Sequence, residues 1–374
     1  MSVSFSNSIK NNNENNFFKK FKNFSISIFG VPHKEKLFFV QYLGVMLKSG
    51  ISLSSALKTL AEQSENKFFK IILTNLSENV DKGRSFSESL KDYNEIFGEL
   101  FINMIEAGEI SGKLESVLDQ LYIQMKKQQE LLSKVKGAMI YPSVILIAIF
   151  CIATFMLIFV VPTMTAILKE ASVALPLPTK ILIFISDSLS KHALISIVII
   201  ILFFGITYRI LKTKFGKYYF QSLLLKLPVI SIIIKKINLA SFSRTISSLL
   251  KTDIMIVKSF QVTASVLSNL HYRKALIEMS EIIKKGGSIA EVLKLYPNLF
   301  PPVVYQMISV GEQTGELDKI LYELAEFYES EVENTMSNIP SIIEPILTLV
   351  LGIGVAGLAL AILMPMYSLS SSIN

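Results

Sequence analysis

Between Lys136 and Lys169 the chain carries no charged residue. Within that interval YPSVILIAIFCIATFMLIFVVP (141–162) matches one crossing of a hydrocarbon core, which takes roughly 20 apolar residues. Two further uncharged runs follow, HALISIVIIILFFGITY (192–208) and PILTLVLGIGVAGLALAILMPMY (345–367). Together they predict three membrane helices. The composition agrees: 51% of the 374 residues are hydrophobic and only 18% charged, with a mean hydropathy of +0.49.

Lysine and arginine set the expected orientation. Lys126, Lys127, Lys134 and Lys136 precede the first run, and Arg209, Lys212, Lys214, Lys217, Lys226, Lys235 and Lys236 follow the second. The interval between them holds only Lys169, Lys180 and Lys191. By the positive-inside rule both large polar regions face the cytoplasm. The formal charge of +7 is explained by this topology. No tract pairs a basic stripe with stacking aromatics, so direct binding of nucleic acid is not expected. Residues 1–34, rich in Asn, Ser and Lys, lack the apolar core and cleavage site of a signal peptide and read as a polar flexible tail.

Cys151 is the single cysteine, and His33, His192 and His271 are far apart. Neither a disulfide nor a metal site is expected, and no cofactor.

A shift of 203 residues aligns IEAGEISGKLESVLDQL (105–121) with ISVGEQTGELDKILYEL (308–324). The same shift, without a gap, carries Leu47-Lys48 onto Leu250-Lys251, Gly83 onto Gly286, Tyr93 onto Tyr296, Phe97 onto Phe300 and Pro142 onto Pro345. A constant offset over about a hundred residues marks a duplication. If each copy is a cytoplasmic domain followed by an outgoing span, the second copy needs a returning span before it, supplied by 192–208. The predicted fold class is therefore all-α, with two repeated cytoplasmic helical bundles and three transmembrane helices. The expected divisions are a tail (1–34), bundle (35–138), membrane helix (139–162), periplasmic loop (163–191), membrane helix (192–211), bundle (212–340), membrane helix (341–367) and short tail (368–374).

Within each bundle, apolar residues at helical spacing break at glycines. Gly83 and Gly286 are expected to end helices in the left-handed conformation. Ser85 with Glu88, and Ser288 with Glu291, have the spacing of capping boxes.

GEISGKL (108–114) looks at first like the end of a phosphate-binding loop. It is one residue short of G-x-x-x-x-G-K-[ST], and Leu114 stands where a Mg²⁺-binding hydroxyl is required. In its twin, GEQTGEL (311–317), Glu316 replaces Lys113 and would repel phosphate. The pair is a duplicated turn: Gly108 and Gly311 near a helix end, Gly112 and Gly315 allowing a tight turn or close approach. Glu109 and Glu312 have two open readings, a contact for a partner protein or a solvated carboxylate. GIGVAG (352–357) fits a dinucleotide fingerprint but sits in an apolar run with no strand before it. Gly352, Ala356, Gly357 and Ala361 are instead small faces for packing of membrane helices. Glu344, beside Pro345 at the start of the third run, is an ionisable group at a membrane boundary, either an interfacial carboxylate or a contact for another membrane helix. Under the shift Lys126 falls on Glu329, Gln120 on Glu323 and Lys134 on Ser337, so the helix approaching the membrane is basic in one copy and acidic in the other. These two helices are expected to meet, within one chain or between chains.

Repeat, spans and GE-x-[ST]-G-x-L motifs together resemble the type II secretion F family, inner-membrane platform proteins of type IV pilus and type II secretion machines. The likeness covers residues 37–370. It is carried by Gly108-Glu109, Ser111-Gly112 and Leu114, by Gly311-Glu312, Thr314-Gly315 and Leu317, by Leu175-Pro176-Leu177-Pro178-Thr179, and by Glu344-Pro345 with Pro365. The resemblance implies a non-enzymatic scaffold with two cytoplasmic six-helix bundles that self-associates as a dimer or larger. It also implies partners: a cytoplasmic assembly ATPase, pilin or pseudopilin, other inner-membrane assembly proteins and membrane lipid. Many members carry a structured segment before the first bundle, where this chain has its Asn-rich tail. A duplicated membrane transporter or channel is the competing reading. It fits less well, because most of each repeat is polar and no span has a charge near its centre.

Overall fold

The computed structural model describes residues 30–163, 177–191 and 193–372, and every regular element among them is helical. Most of the expected tail, Leu175-Pro176 and His192 lie outside the described residues. The first copy consists of α1 (His33–Lys48), α2 (Leu53–Gln63), α3 (Lys67–Asp81), α4 (Phe86–Lys91), α5 (Asn94–Ser111) and α6 (Leu114–Phe155). Next come α7 (Leu177–Lys191), α8 (Ala193–Lys212) and α9 (Lys214–Leu224). The second copy is α10 (Pro228–Lys251), α11 (Ile256–Val266), α12 (Leu270–Lys284), α13 (Ile289–Lys294), α14 (Pro302–Thr314) and α15 (Leu317–Ser372). From Leu53 to Lys91 and from Ile256 to Lys294 every helix boundary recurs at the 203-residue shift.

The boundaries recur because their local chemistry does. Asn66 caps α3 by accepting from the amides of Phe68 and Phe69 at 3.0 and 3.1 Å, and Asn269 caps α12 through His271 and Tyr272. Gly83 and Gly286 lie at φ 82° and 92°. After each, the amide five positions along from a last-turn carbonyl closes the helix end: Arg84 to Asn79, Gly287 to Ile282. The aromatic cores are duplicated too. Phe39, Phe69 and Phe97 meet with ring centroids 5.6–6.2 Å apart, and their counterparts Phe242, Tyr272 and Phe300 are linked at 5.2 and 5.5 Å. Burying each such ring stabilises by about 1.5–3 kcal/mol.

The chain divides into two compact units. One contains the described residues up to Glu130 with Lys235–Glu329, so that both helical bundles pack as a single body. Its core runs across the copies, Leu249 and Val262 lying in the same apolar cluster as Leu118 and Leu121. The join is α10, in which every residue from Phe242 to Leu249 is buried.

The other unit contains Leu131–Ile234 and Ser330 onward. Two helices among the described residues, Leu114–Thr163 and Leu317–Gly357, are long and apolar enough to cross a membrane. Each has proline in its apolar part, Pro142 in one and Pro345 in the other. The first passes through a π-helical turn at Met156–Val160. The stretch 163–191, expected as a loop, contains the helix α7. Its buried Ser186 donates to the carbonyl of Leu157 in that turn at 2.6 Å, giving a carbonyl of the irregular helix a partner.

The two motif glycines of each copy do different work. Gly112 and Gly315 end α5 and α14 in the left-handed conformation, at φ 67° and 73°. Gly108 and Gly311 are places of close approach: an added Cβ at Gly108 would lie 2.8 Å from Val117 Cγ2, and one at Gly311 3.1 Å from Ile320 Cβ. Gly108→Val should therefore destabilise the purified chain by about 1–3 kcal/mol in denaturant unfolding. Gly137→Ala, where a Cβ meets nothing within 4 Å, should leave the transition unchanged or raise it slightly.

Candidate functional site

The duplicated motif carboxylates are both turned inward to their own bundle. Glu109 accepts from the amides of Phe86 and Ser87 and from the Ser87 hydroxyl, the last two at 3.0 and 2.6 Å. Glu312 accepts from the amides of Ile289 and Ala290 at 2.8 and 3.2 Å and from the Ser288 hydroxyl at 2.8 Å. Each carboxylate thus occupies the N-terminus of the short fourth helix of its bundle, where free amides and the helix dipole favour a negative charge. The same contacts alter the expected capping boxes. Ser85 accepts from the Glu88 amide at 3.2 Å, which is half a box, whereas Ser288 makes no such cap because its hydroxyl is donated to Glu312. Lys113, the lysine of the apparent phosphate loop, pairs with Asp253 at 3.4 Å.

The basic and acidic helices do meet within the chain, through different residues from those the shift suggested. Lys127, not Lys126, lies 3.2 Å from Glu326 and 3.4 Å from Glu329, and Lys134 pairs with Glu333. Lys126 itself is exposed. The centre of this cluster is Arg244 on α10, whose side chain is only 3% exposed. Its guanidinium donates to both Glu329 oxygens at 2.8 and 2.9 Å and to Glu326, and its Cζ lies 4.7 Å from the Tyr322 ring centroid. This is the planar two-oxygen geometry that arginine provides and lysine does not.

Burial opposes the charge on Arg244, Lys127 and Glu326, and pairing overcomes it. For Arg244 the hydrogen bonds and charges of Glu329 and then Glu326 raise its affinity for the proton despite desolvation. For Glu326 desolvation is outweighed by hydrogen bonds from Arg244 and then Lys127, which hold the carboxyl below its ordinary value. Sequence reasoning missed Arg244 because its counterpart under the shift is Gln41, so the repeat gave no signal. A signal was present all the same: from Ile237 to Leu250 it is the only charged residue.

Next to this charged cluster, the seam between bundles is neutral and polar. Gln124 donates to Thr245 at 3.1 Å and accepts from Ser248 at 3.0 Å, while Gln120 donates to Ser248 at 3.1 Å. Gln124, Thr245 and Ser248 are buried and Gln120 half-buried, and their mutual hydrogen bonds offset the cost of leaving water.

Farther along α15, Glu344, Pro345, Thr348, Leu349, Gly352, Ile353 and Ala356 line one shallow open groove. Two sets of residues assigned separately from the sequence, the boundary pair and the small face, are thus one continuous stripe. Gly357 lies outside it, and the side chain of Ala361 is not among those described. An added Cβ at Gly352 or Gly357 meets nothing within 4 Å, so among the described residues no neighbouring helix packs there. Three or more His, Cys, Asp or Glu side chains do not gather into a metal site among the described residues.

Two fused copies of one helical bundle, each leading into a long apolar helix, define a duplicated helical membrane protein. The family model described as "Type II secretion system (T2SS), protein F" matches residues 39–162 and 242–365, and the chain belongs to this family. The starts and the ends of the two matched segments are both 203 residues apart, the offset read from the sequence. Among similar proteins are two named type IV pilus assembly protein PilC. That of Thermus thermophilus is 33% identical, covering 91% of this chain and 84% of its own length. That of Myxococcus xanthus is 31% identical, covering 92% and 82%. The type II secretion system protein F of Vibrio cholerae is 32% identical, covering 91% and 84%.

Arg244→Met should cost at most about 3–5 kcal/mol in denaturant unfolding at neutral pH, because it removes the buried cation shared by Glu326 and Glu329 and leaves them only the half-buried Lys127. Arg244→Lys should recover only part of the loss. The depressed Glu326 carboxyl also fixes a pH dependence. Its contribution is complete above the ordinary value of 4.5 and is lost as the pH falls through the lower folded value. Unfolding midpoints measured from pH 6 downward should show this acid-dependent loss in the parent chain, and a smaller one in Arg244→Met.

Proposed function

We propose that the protein is a multi-pass inner-membrane platform of a type IV pilus or type II secretion machine. In this reading it couples a cytoplasmic assembly ATPase to the assembly or disassembly of pilin or pseudopilin subunits. The observation that carries the proposal is family membership over both copies, with relatives in which type IV pilus assembly and type II secretion are named. The architecture supports it: two bundles packed as one body give a rigid docking surface, and helices long enough to span a membrane leave from both.

Three spans are part of the proposal, with α8 as the return crossing; it has no charged residue before Arg209 and ends on Arg209 and Lys212. Both bundles are then cytoplasmic. The protein itself is a scaffold and not an enzyme, so ATP is hydrolysed by another chain. The stripe from Glu344 to Ala356 supports a role in guiding the apolar helix of a subunit, its small residues permitting close approach.

Deleting the protein and assaying surface filaments and extracellular enzymes separately tests this directly. Loss of filaments with secretion intact is expected of a pilus platform, and the reverse of a secretion platform. Both processes unaffected, with neither an ATPase nor a pilin co-purifying, would remove the assignment.

A further inference from the structure

The two bundles are joined by a face of α6 in the first copy and a face of α10 in the second. On α10 that face is Thr245 and Ser248, both fully buried. At the 203-residue shift the same face of α1 holds Tyr42 and Val45, with Phe38 one turn before them. There it is apolar and open: Phe38, Tyr42 and Val45 are 43%, 42% and 55% exposed, and the Phe38 and Tyr42 rings sit 4.0 Å apart. Ile51 continues the row at 42% exposure, whereas its counterpart Ile254 packs against the first copy's core.

The complementary face is open as well. Gln120 and Gln124 of α6 cover α10. Their counterparts on α15 are Glu323, which is exposed, and Phe327, which is 52% exposed. If the two bundles were related by a twofold axis, α15 would cover α1 within the chain just as α6 covers α10. Both faces are open, so the relation is head-to-tail and leaves one used and one unused face on each bundle.

We propose that a second copy of this chain fills the vacancy, its α15 face at Phe327 docking on the α1 face at Tyr42 and Val45. The contact repeats between chains the geometry that already joins the two bundles within one. It replaces the polar Gln124–Thr245 pair by an aromatic pair, Phe327 against Tyr42, which suits an interface that must form by association and not by covalent linkage. Being heterologous, it builds a ring or an open row of chains.

The test is cysteine cross-linking of the full-length chain in detergent, on a Cys151→Ser background, because Cys151 is the only native thiol. One preparation carries Tyr42→Cys and a differently tagged one carries Phe327→Cys; both positions are exposed, so the fold should tolerate them. Oxidation should give a disulfide-linked dimer containing both tags in the mixture, and none in either preparation alone. A Tyr42→Cys preparation that cross-links to itself would show a symmetric contact and overturn the proposal. So would a mixture whose chains co-purify as oligomers yet give no mixed dimer, or one in which the chains stay monomeric. As an independent check, Tyr42→Glu should abolish oligomers in size-exclusion chromatography while leaving the unfolding transition in place. Retained oligomers would count against the contact. The readouts depend only on self-association, so they can fail while the pilus or secretion assignment stands.

Discussion

The single body formed by the two bundles depends on the stretch Phe242–Leu249 of α10, every residue of which is buried. A helix in that position is expected to be apolar around its circumference, yet Ser243, Thr245, Ser247 and Ser248 lie in its buried stretch. Small side chains let neighbouring helices come close, and three of the four hydroxyls have partners beyond their own helix: Thr245 and Ser248 on α6, Ser247 on the carbonyl of Asp318. The one charge in this stretch, Arg244, is neutralised by two carboxylates of α15. Replacing the array piecemeal is costly, because Gln124, Thr245 and Ser248 each rely on another buried polar group.

The duplication supplies two equal bundles, and the chain then uses them unequally. Equivalent positions carry Gln41 and Arg244, Lys126 and Glu329, Tyr42 and Thr245. In each pair one residue serves a surface of its own copy and the other serves the seam. Divergence at the seam converts a repeat into a single body, while the interior capping, turns and aromatic triads stay matched. Glu109 and Glu312 make matched contacts in the two copies. Each carboxylate ties the helix before the tight turn to the short fourth helix, which at six residues has little stability of its own.

The mechanical consequence suits a platform. Had the two bundles been beads on flexible linkers, a force applied to one would be absorbed by the linker. Here a cross-copy core, a buried cation and a polar seam connect them.

The sequence by itself determined the features governed by period and local chemistry. An uncharged run of the right length specified long apolar helices, and a constant offset specified two like bundles. Gly83 and Gly286 marked where helices stop, and Ser85 where the next one starts. These were legible because their causes lie within a few residues of their effects. Only the tertiary structure decided which faces are covered. The Glu109 and Glu312 carboxylates reach amides more than twenty positions away, and Arg244 finds its partners more than eighty positions on. Sequence gives such a residue its charge, but the cost or benefit of that charge depends on burial and on the groups that folding brings beside it.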